Sequence, residues 1–190
     1  MIFHDTEIED VVMVEIAEIR DERGFFARSW CEDEFAEHGL GGVWVQENVG
    51  FNPRRGTLRG LHLQTDPHAE RKLVRCTRGE IWDVAVDLRH DSRSWGRSVG
   101  FELTADNYRM LHVPEGCAHG YLTLTDDAEI RYMTSYRYAP SAATGVRHDD
   151  PALGLEWPGE VLLVSDADAS WPLLGARSDL GSAAVDTAGG

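Results

Sequence analysis

The 190 residues carry 33 acidic and 18 basic side chains, for a formal net charge of −15, and 42% of them are hydrophobic. Such a length supports one domain with a sizeable core and is short for two. The acidity excludes general DNA or RNA binding, in which phosphate contacts supply most of the affinity, and no apolar run approaches the roughly 18 residues that a membrane helix needs.

In chain order, the opening MIFHDTEIEDVVMVE places acids where a secretory signal needs a basic region and then a continuous apolar one, so a cytoplasmic location is expected. The segment CEDEFAEHGL, residues 31–40, predicts a helix, because acids crowd its first turn and Gly39 can end it. Strands are predicted over 43–51, 72–79, 80–89, 97–104, 109–116, 120–126 and 129–138, where β-branched and aromatic residues recur between Gly, Pro and Asp. Their spacing favours an all-β antiparallel sandwich or barrel with a few short helices. The small, polar ARSDLGSAAVDTAGG predicts a flexible tail over 176–190, after a single domain over 1–175. Cys31, Cys76 and Cys117 are odd in number and widely spaced, which argues against a disulfide framework or a structural zinc site.

A basic cluster interrupts the acidic chain: Arg54, Arg55, Arg59, Arg71, Lys72, Arg75 and Arg78. It is either a solvated edge or a local site for a small phosphorylated ligand. Seventeen of the 18 basic residues are arginine, and Lys72 is the only lysine. Lysine is a compact point charge whose pKa burial can tune, so either chance kept it or a site needs an ammonium.

Two segments resemble the halves of a cupin site: Gly60-Leu-His62-Leu-Gln64 with Arg78-Gly79, and Pro114-Glu-Gly116-Cys-Ala-His119-Gly120. Gln64 stands where a second histidine would complete a His-x-His pair, and Glu70 lies at an imperfect spacing. Two imidazoles and a neutral amide make a poor divalent-metal site. His62 is therefore a metal ligand without its pair, a buried core histidine or a catalytic base; a pocket that keeps histidine without metal invites acid/base chemistry. Asp83, Asp87, Asp166 and Asp168 offer carboxylates. Tyr132, Tyr136 and Tyr138 share one strand face by parity, for packing or for chemistry, and His119 is either a satisfied buried histidine or part of the site.

Nine segments in order, DERGFFARSW (21–30), VQEN (45–48), LRGLHLQ (58–64), RKLVR (71–75), GEIWDVAVDLR (79–89), VPEGCAHGYL (113–122), YMTSYRY (132–138), DDPALGLEWP (149–158) and VSDADASWPLL (164–174), resemble the dTDP-4-dehydrorhamnose 3,5-epimerase family. The resemblance implies a cupin-type jelly roll that epimerises C3, C5 or both of a dTDP-4-keto-6-deoxyhexose in deoxysugar biosynthesis, without cofactor or metal. It implies that His62 is the base, Asp168 its carboxylate partner, Lys72 the stabiliser of the enolate and Tyr132 the acid on the opposite face. Arg23, Phe26, Gln46, Asn48, Arg59, His119, Tyr138 and Asp83 match substrate-binding positions, and a homodimer sharing N-terminal strands is implied.

Two departures touch the nucleotide side: Arg28 stands where relatives commonly have an acid, and Val49-Gly50 follows Asn48 where His-Ser is usual. The competing readings are a C3-only or C5-only epimerase, a non-catalytic sugar-nucleotide-binding cupin, and a metal-dependent cupin isomerase or oxygenase.

Overall fold

A computed structural model describes residues 1–180. The chain begins with β1 (Ile2–Asp5), β2 (Val12–Glu15) and a hairpin of β3 (Ile19–Asp21) and β4 (Gly24–Phe26). Helix α1 (Glu32–Glu37) follows, ending where Gly39 adopts φ +75°, a conformation that costs glycine little. Then come β5 (Gln46–Asn52), β6 (Leu58–Gln64), β7 (Lys72–Arg78), β8 (Glu80–Asp87), β9 (Ser98–Thr104), β10 (Met110–Val113), β11 (Cys117–Thr123), β12 (Ala128–Thr134), β13 (Ala143–Gly145) and the short helix α2 (Asp166–Ala169).

Two antiparallel sheets build the domain, one in the order β1-β2-β10-β7-β12-β5 and the other in the order β13-β6-β11-β8-β9. They form the cupin-type jelly roll expected from the sequence. The period of two along each strand explains the layers. Ile81 and Ala85 of β8 face inward with Val74 of β7, Leu111 of β10, Leu103 of β9 and Ile130 of β12, forming the core between the sheets. Val84 and Val86, on the opposite face of β8, pack with Leu61, Leu63, Leu153, Leu174 and Leu180. Leu73 and Met110 do the same under Phe35 of α1 and Leu40. Both sheets are thus partly covered outside as well as inside. Truncating a fully buried residue such as Ile81 to alanine is expected to cost about 2–5 kcal/mol.

Several expected boundaries move. The strand placed at 120–126 begins at Cys117, so His119 lies within β11 rather than ahead of it. The strand placed at 129–138 ends at Thr134, so Tyr136 and Tyr138 leave the face they share with Tyr132 by parity. Valines 43 and 45 precede β5. LRGLHLQ, not counted among the predicted strands, is β6.

The packed chain also runs past the expected boundary at 175. Arg177 is buried and donates to the carbonyl of Gly145 at 2.7 Å and to the Thr144 hydroxyl at 2.8 Å, and Leu180 joins the outer apolar cluster. Residues 181–190 of the expected tail lie outside the described residues.

Candidate active site

The site is set by an irregularity in β6. Across the β6–β11 pair His119 faces His62 and Tyr121 faces Arg59, so one residue of β11, Gly120, opposes two of β6, Gly60 and Leu61. In a regular strand positions 59 and 62 point to opposite faces; one extra residue turns both into the interior. Gly60 makes this possible. Its φ is +133°, and a Cβ there would lie 2.6 Å from the Gly120 Cα, so no side chain fits.

Between the sheets lies a cavity of about 700 Å³. His62, Arg59 and His119 line it from the five-stranded sheet; Gln46 and Asn48 of β5, Lys72 of β7 and Tyr132 of β12 line it from the six-stranded sheet. Tyr138 and Trp171 close further parts of the wall. His62 and Tyr132 therefore meet one cavity from opposite sheets.

His62 Nε2 lies 2.6 Å from Asp168 Oδ1. Asp168 is anchored on α2, where the Ser165 hydroxyl accepts its backbone N–H at 3.0 Å, and its Oδ2 accepts the Gly60 N–H at 3.3 Å. Burial works to raise the Asp168 carboxyl, but the hydrogen bond and charge of His62, with the Gly60 N–H, outweigh it and hold the group below the usual range. An ionised carboxylate only accepts, so Nε2 carries the proton and Nδ1 keeps its lone pair. The His62 side chain is 42% exposed, which leaves that lone pair accessible.

A second pair lies beside the first. His119 Nε2 is 2.8 Å from Asp83 Oδ1, and the two side chains are only 8% and 0% exposed. His119 lines the cavity, but Asp83 sits behind it and does not; the expected contact of Asp83 with substrate is thus replaced by contact with His119.

The Lys72 ammonium donates to the His62 carbonyl at 3.1 Å and lies 3.3 Å from Glu70 Oε1. Burial pushes it below the usual lysine range, while Glu70 and then Asp83 oppose that shift. Burial also raises the Tyr132 phenol, with Glu70 adding to the effect and Arg59 opposing it.

Gln64 has a full set of partners rather than a free coordination position. Its Oε1 accepts the Ala139 N–H at 2.6 Å, and its Nε2 donates to the carbonyls of His68 and Arg137 and to Glu70 Oε2. Among the described residues no group of three or more His, Cys, Asp and Glu side chains comes together in a way that could hold a metal.

Sequence reasoning missed Asn52 and Tyr121. Asn52, fully buried, accepts Arg59 Nε at 2.8 Å and donates to the Tyr121 hydroxyl at 3.2 Å. This pins one edge of the guanidinium, and Arg59 forms no ion pair among the described residues, so its remaining N–H groups are available for an anion. Burial lifts the Tyr121 phenol to about 12, so it is neutral at physiological pH. Parity on β5, with 46, 48, 50 and 52 on one face, was the available signal for Asn52.

Two expected contacts are not brought here within one chain. Arg23 and Phe26 lie on the β3–β4 hairpin, 85% exposed at the arginine side chain and 74% at the phenylalanine, and Arg23 pairs locally with Asp21. Neither lines the cavity.

The model of a family described as dTDP-4-dehydrorhamnose 3,5-epimerase matches residues 5–176. The chain belongs to the dTDP-4-dehydrorhamnose 3,5-epimerase family. The enzyme of that name from Shigella flexneri is 44% identical over 164 residues, covering 86% of this chain and 90% of its own. The crystal structure of the Elizabethkingia anophelis enzyme of that name superposes with a TM-score of 0.90 at 36% identity, over 93% of this chain and 98% of the other. NovW, a 4-keto-6-deoxy sugar epimerase from the novobiocin biosynthetic gene cluster of Streptomyces spheroides, gives 0.88 at 33% identity, over 94% and 90% of the two chains.

As a member of this epimerase family, the protein is an isomerase of sugar-epimerase class. Arg28 forms a surface ion pair with Glu34 of α1, which also meets the Met1 amine. Arg28 does not line the cavity, whereas Val49 and Gly50 do.

Proposed function

We propose that the protein epimerises C3, C5 or both of a dTDP-4-keto-6-deoxyhexose, with His62 as base and Tyr132 as acid. The reading rests on one observation above the others: these two groups line a single cavity from opposite sheets. A base alone returns the proton to the face it left; a proton donor on the other face makes inversion the outcome.

His62 Nδ1 takes the proton beside the C4 ketone. The C–H electron pair becomes a carbon–carbon π bond, and the carbonyl π pair moves onto O4. Asp168 stabilises the imidazolium, and the Lys72 ammonium offsets the charge on O4. Tyr132 then donates its proton to the opposite face of the carbon as the enolate collapses to the ketone. The resulting tyrosinate and imidazolium exchange protons with solvent to restore the enzyme. The raised Tyr132 phenol stays protonated at neutral pH, as a donor must. Arg59, backed by Asn52, is assigned to the diphosphate, and Gln46, Asn48 and Tyr138 to the nucleotide and sugar.

The exposed hairpin supports a homodimer in which Arg23 and Phe26 of one protomer complete the nucleotide end of its partner's cavity. Ile19 is 70% exposed and Phe26 74%, apolar surface that association would cover. No described helix is long and apolar enough to cross a membrane. The three free cysteines support the assignment to the cytoplasm.

The test is proton NMR of dTDP-4-keto-6-deoxyglucose with the protein in deuterium oxide. Exchange at both C3 and C5 identifies the double epimerase. Exchange at one carbon identifies a C3-only or C5-only enzyme, and exchange at neither overturns the reading in favour of a binding protein.

A further inference from the structure

Glu70 has no role in the chemistry above, yet it is tied to the only lysine of the chain. It lies in the loop ahead of β7, lines the cavity, and its side chain is 11% exposed. One carboxylate oxygen faces Lys72 Nζ at 3.3 Å; the other accepts Gln64 Nε2 at 3.1 Å. The orientation of the Gln64 amide is set from behind, because the Ala139 N–H at 2.6 Å requires the amide oxygen on that side. Donation therefore converges on Glu70: the Ala139 N–H donates to Gln64, and the Gln64 amide and the Lys72 ammonium both point their N–H groups at the Glu70 carboxylate.

An ammonium has three N–H donors. Those of Lys72 meet the His62 carbonyl and Glu70, and one is left for the cavity. Without a carboxylate beside it, an amine that is 8% exposed holds its proton less firmly, and a neutral amine would do little for an enolate oxygen.

We propose that Glu70, clamped by Gln64, is the positioning residue for Lys72, keeping it as an ammonium aimed into the cavity beside His62. The proposal rests on the reading of Lys72 as the group that meets O4. It also gives Gln64 its purpose: an amide at this position donates to Glu70 while accepting from the backbone, which a carboxylate or an apolar side chain would not do.

The charged groups bearing on Lys72 are Glu70 on its own loop and Asp83 of β8, while His62 of β6, His119 of β11 and Tyr132 of β12 line the same cavity. Asp83 remains when Glu70 is changed, so Glu70→Gln isolates the nearer carboxylate.

Because Lys72 is the only lysine, protein grown with 13C-labelled lysine and lacking a tag gives a single side-chain signal to titrate. In the wild type its midpoint should lie below that of free lysine. Glu70→Gln should move it lower by about one pH unit or more, as loss of an adjacent opposite charge does. In parallel, the alkaline limb of the kcat profile should move to lower pH by the same amount, an about tenfold fall above both midpoints, while the Kd for dTDP changes less than about twofold. Lys72→Arg, which does not titrate in this range, should abolish the effect of Glu70→Gln on the alkaline limb of the rate profile. An unmoved lysine midpoint in Glu70→Gln overturns the proposal, as does an alkaline limb that still shifts in the Lys72→Arg background. A midpoint that moves in a protein showing no exchange at C3 or C5 leaves the positioning role in place and removes the epimerase reading instead.

Discussion

Two histidine–carboxylate pairs face each other across neighbouring strands, and they differ in what lies beyond the imidazole. His62 is held by Asp168 on a short helix near the end of the described chain, and 42% of its side chain is open to the cavity. His119 is held by Asp83 from the adjacent strand β8, and 8% is open. Asp168 has all its neighbours supplied by Gly60, Ser165 and His62, whereas Asp83 keeps one oxygen without a hydrogen bond. The same pair of residue types can thus build a reactive group or a buried polar support, and access decides which.

The largest effect is expected from His62→Asn. Turnover should fall by about two to four orders of magnitude, and deuterium exchange should fall with it, because no base remains. An exchange rate close to wild type would transfer the role of base to His119.

Tyr132→Phe comes next. Product formation should drop by about two orders of magnitude or more, while exchange at the acidic carbon survives better, since His62 can still take and return a proton. Equal loss of both would remove the assignment of the acid.

Asp168→Asn should cost about one to two orders of magnitude in kcat, by leaving the imidazolium unsupported and the tautomer unfixed. This carboxyl is held below the usual range in the folded state, with burial opposing and the His62 contact prevailing. Its stabilisation is therefore present above about pH 4 and is lost as the pH falls further, through the folded value. Thermal melts at about pH 7 and about pH 2.5 check this, and the variant should lose less on acidification than the wild type.

The smallest effect on turnover is expected from Asp83→Asn. The amide keeps the shape and can still meet His119, so kcat should stay within about tenfold while stability falls by roughly 1–3 kcal/mol. Loss of turnover as deep as for Asp168→Asn would make the two pairs functional equals.

Much of the sandwich was legible in the chain because β7, β8 and β9 have clear Val-, Leu- and Ile-rich runs closed by Gly or Asp. The strand carrying His62 was harder to see. Its Gly60 and the bulge around it break the period of two, so parity alone would place Arg59 and His62 on opposite faces. Tyr136 and Tyr138 show the reverse error, a parity extended beyond the end of its strand. Asn52 carried no motif and Glu70 only an ill-spaced place in the cupin pattern, since an amide at a strand end and an acid in a loop are common and acquire meaning only through the side chains they meet.

The fold class, the family and the kinds of group available can be read along the chain, because strand periodicity and ordered motifs are properties of neighbours in sequence. That Asp168 reaches His62 across 106 residues, that Asp83 stands behind His119, and that Gln64 clamps Glu70 against the only lysine emerge once the chain is packed. Those contacts depend on how the two sheets and the C-terminal segment pack, and packing joins residues that local pattern cannot relate.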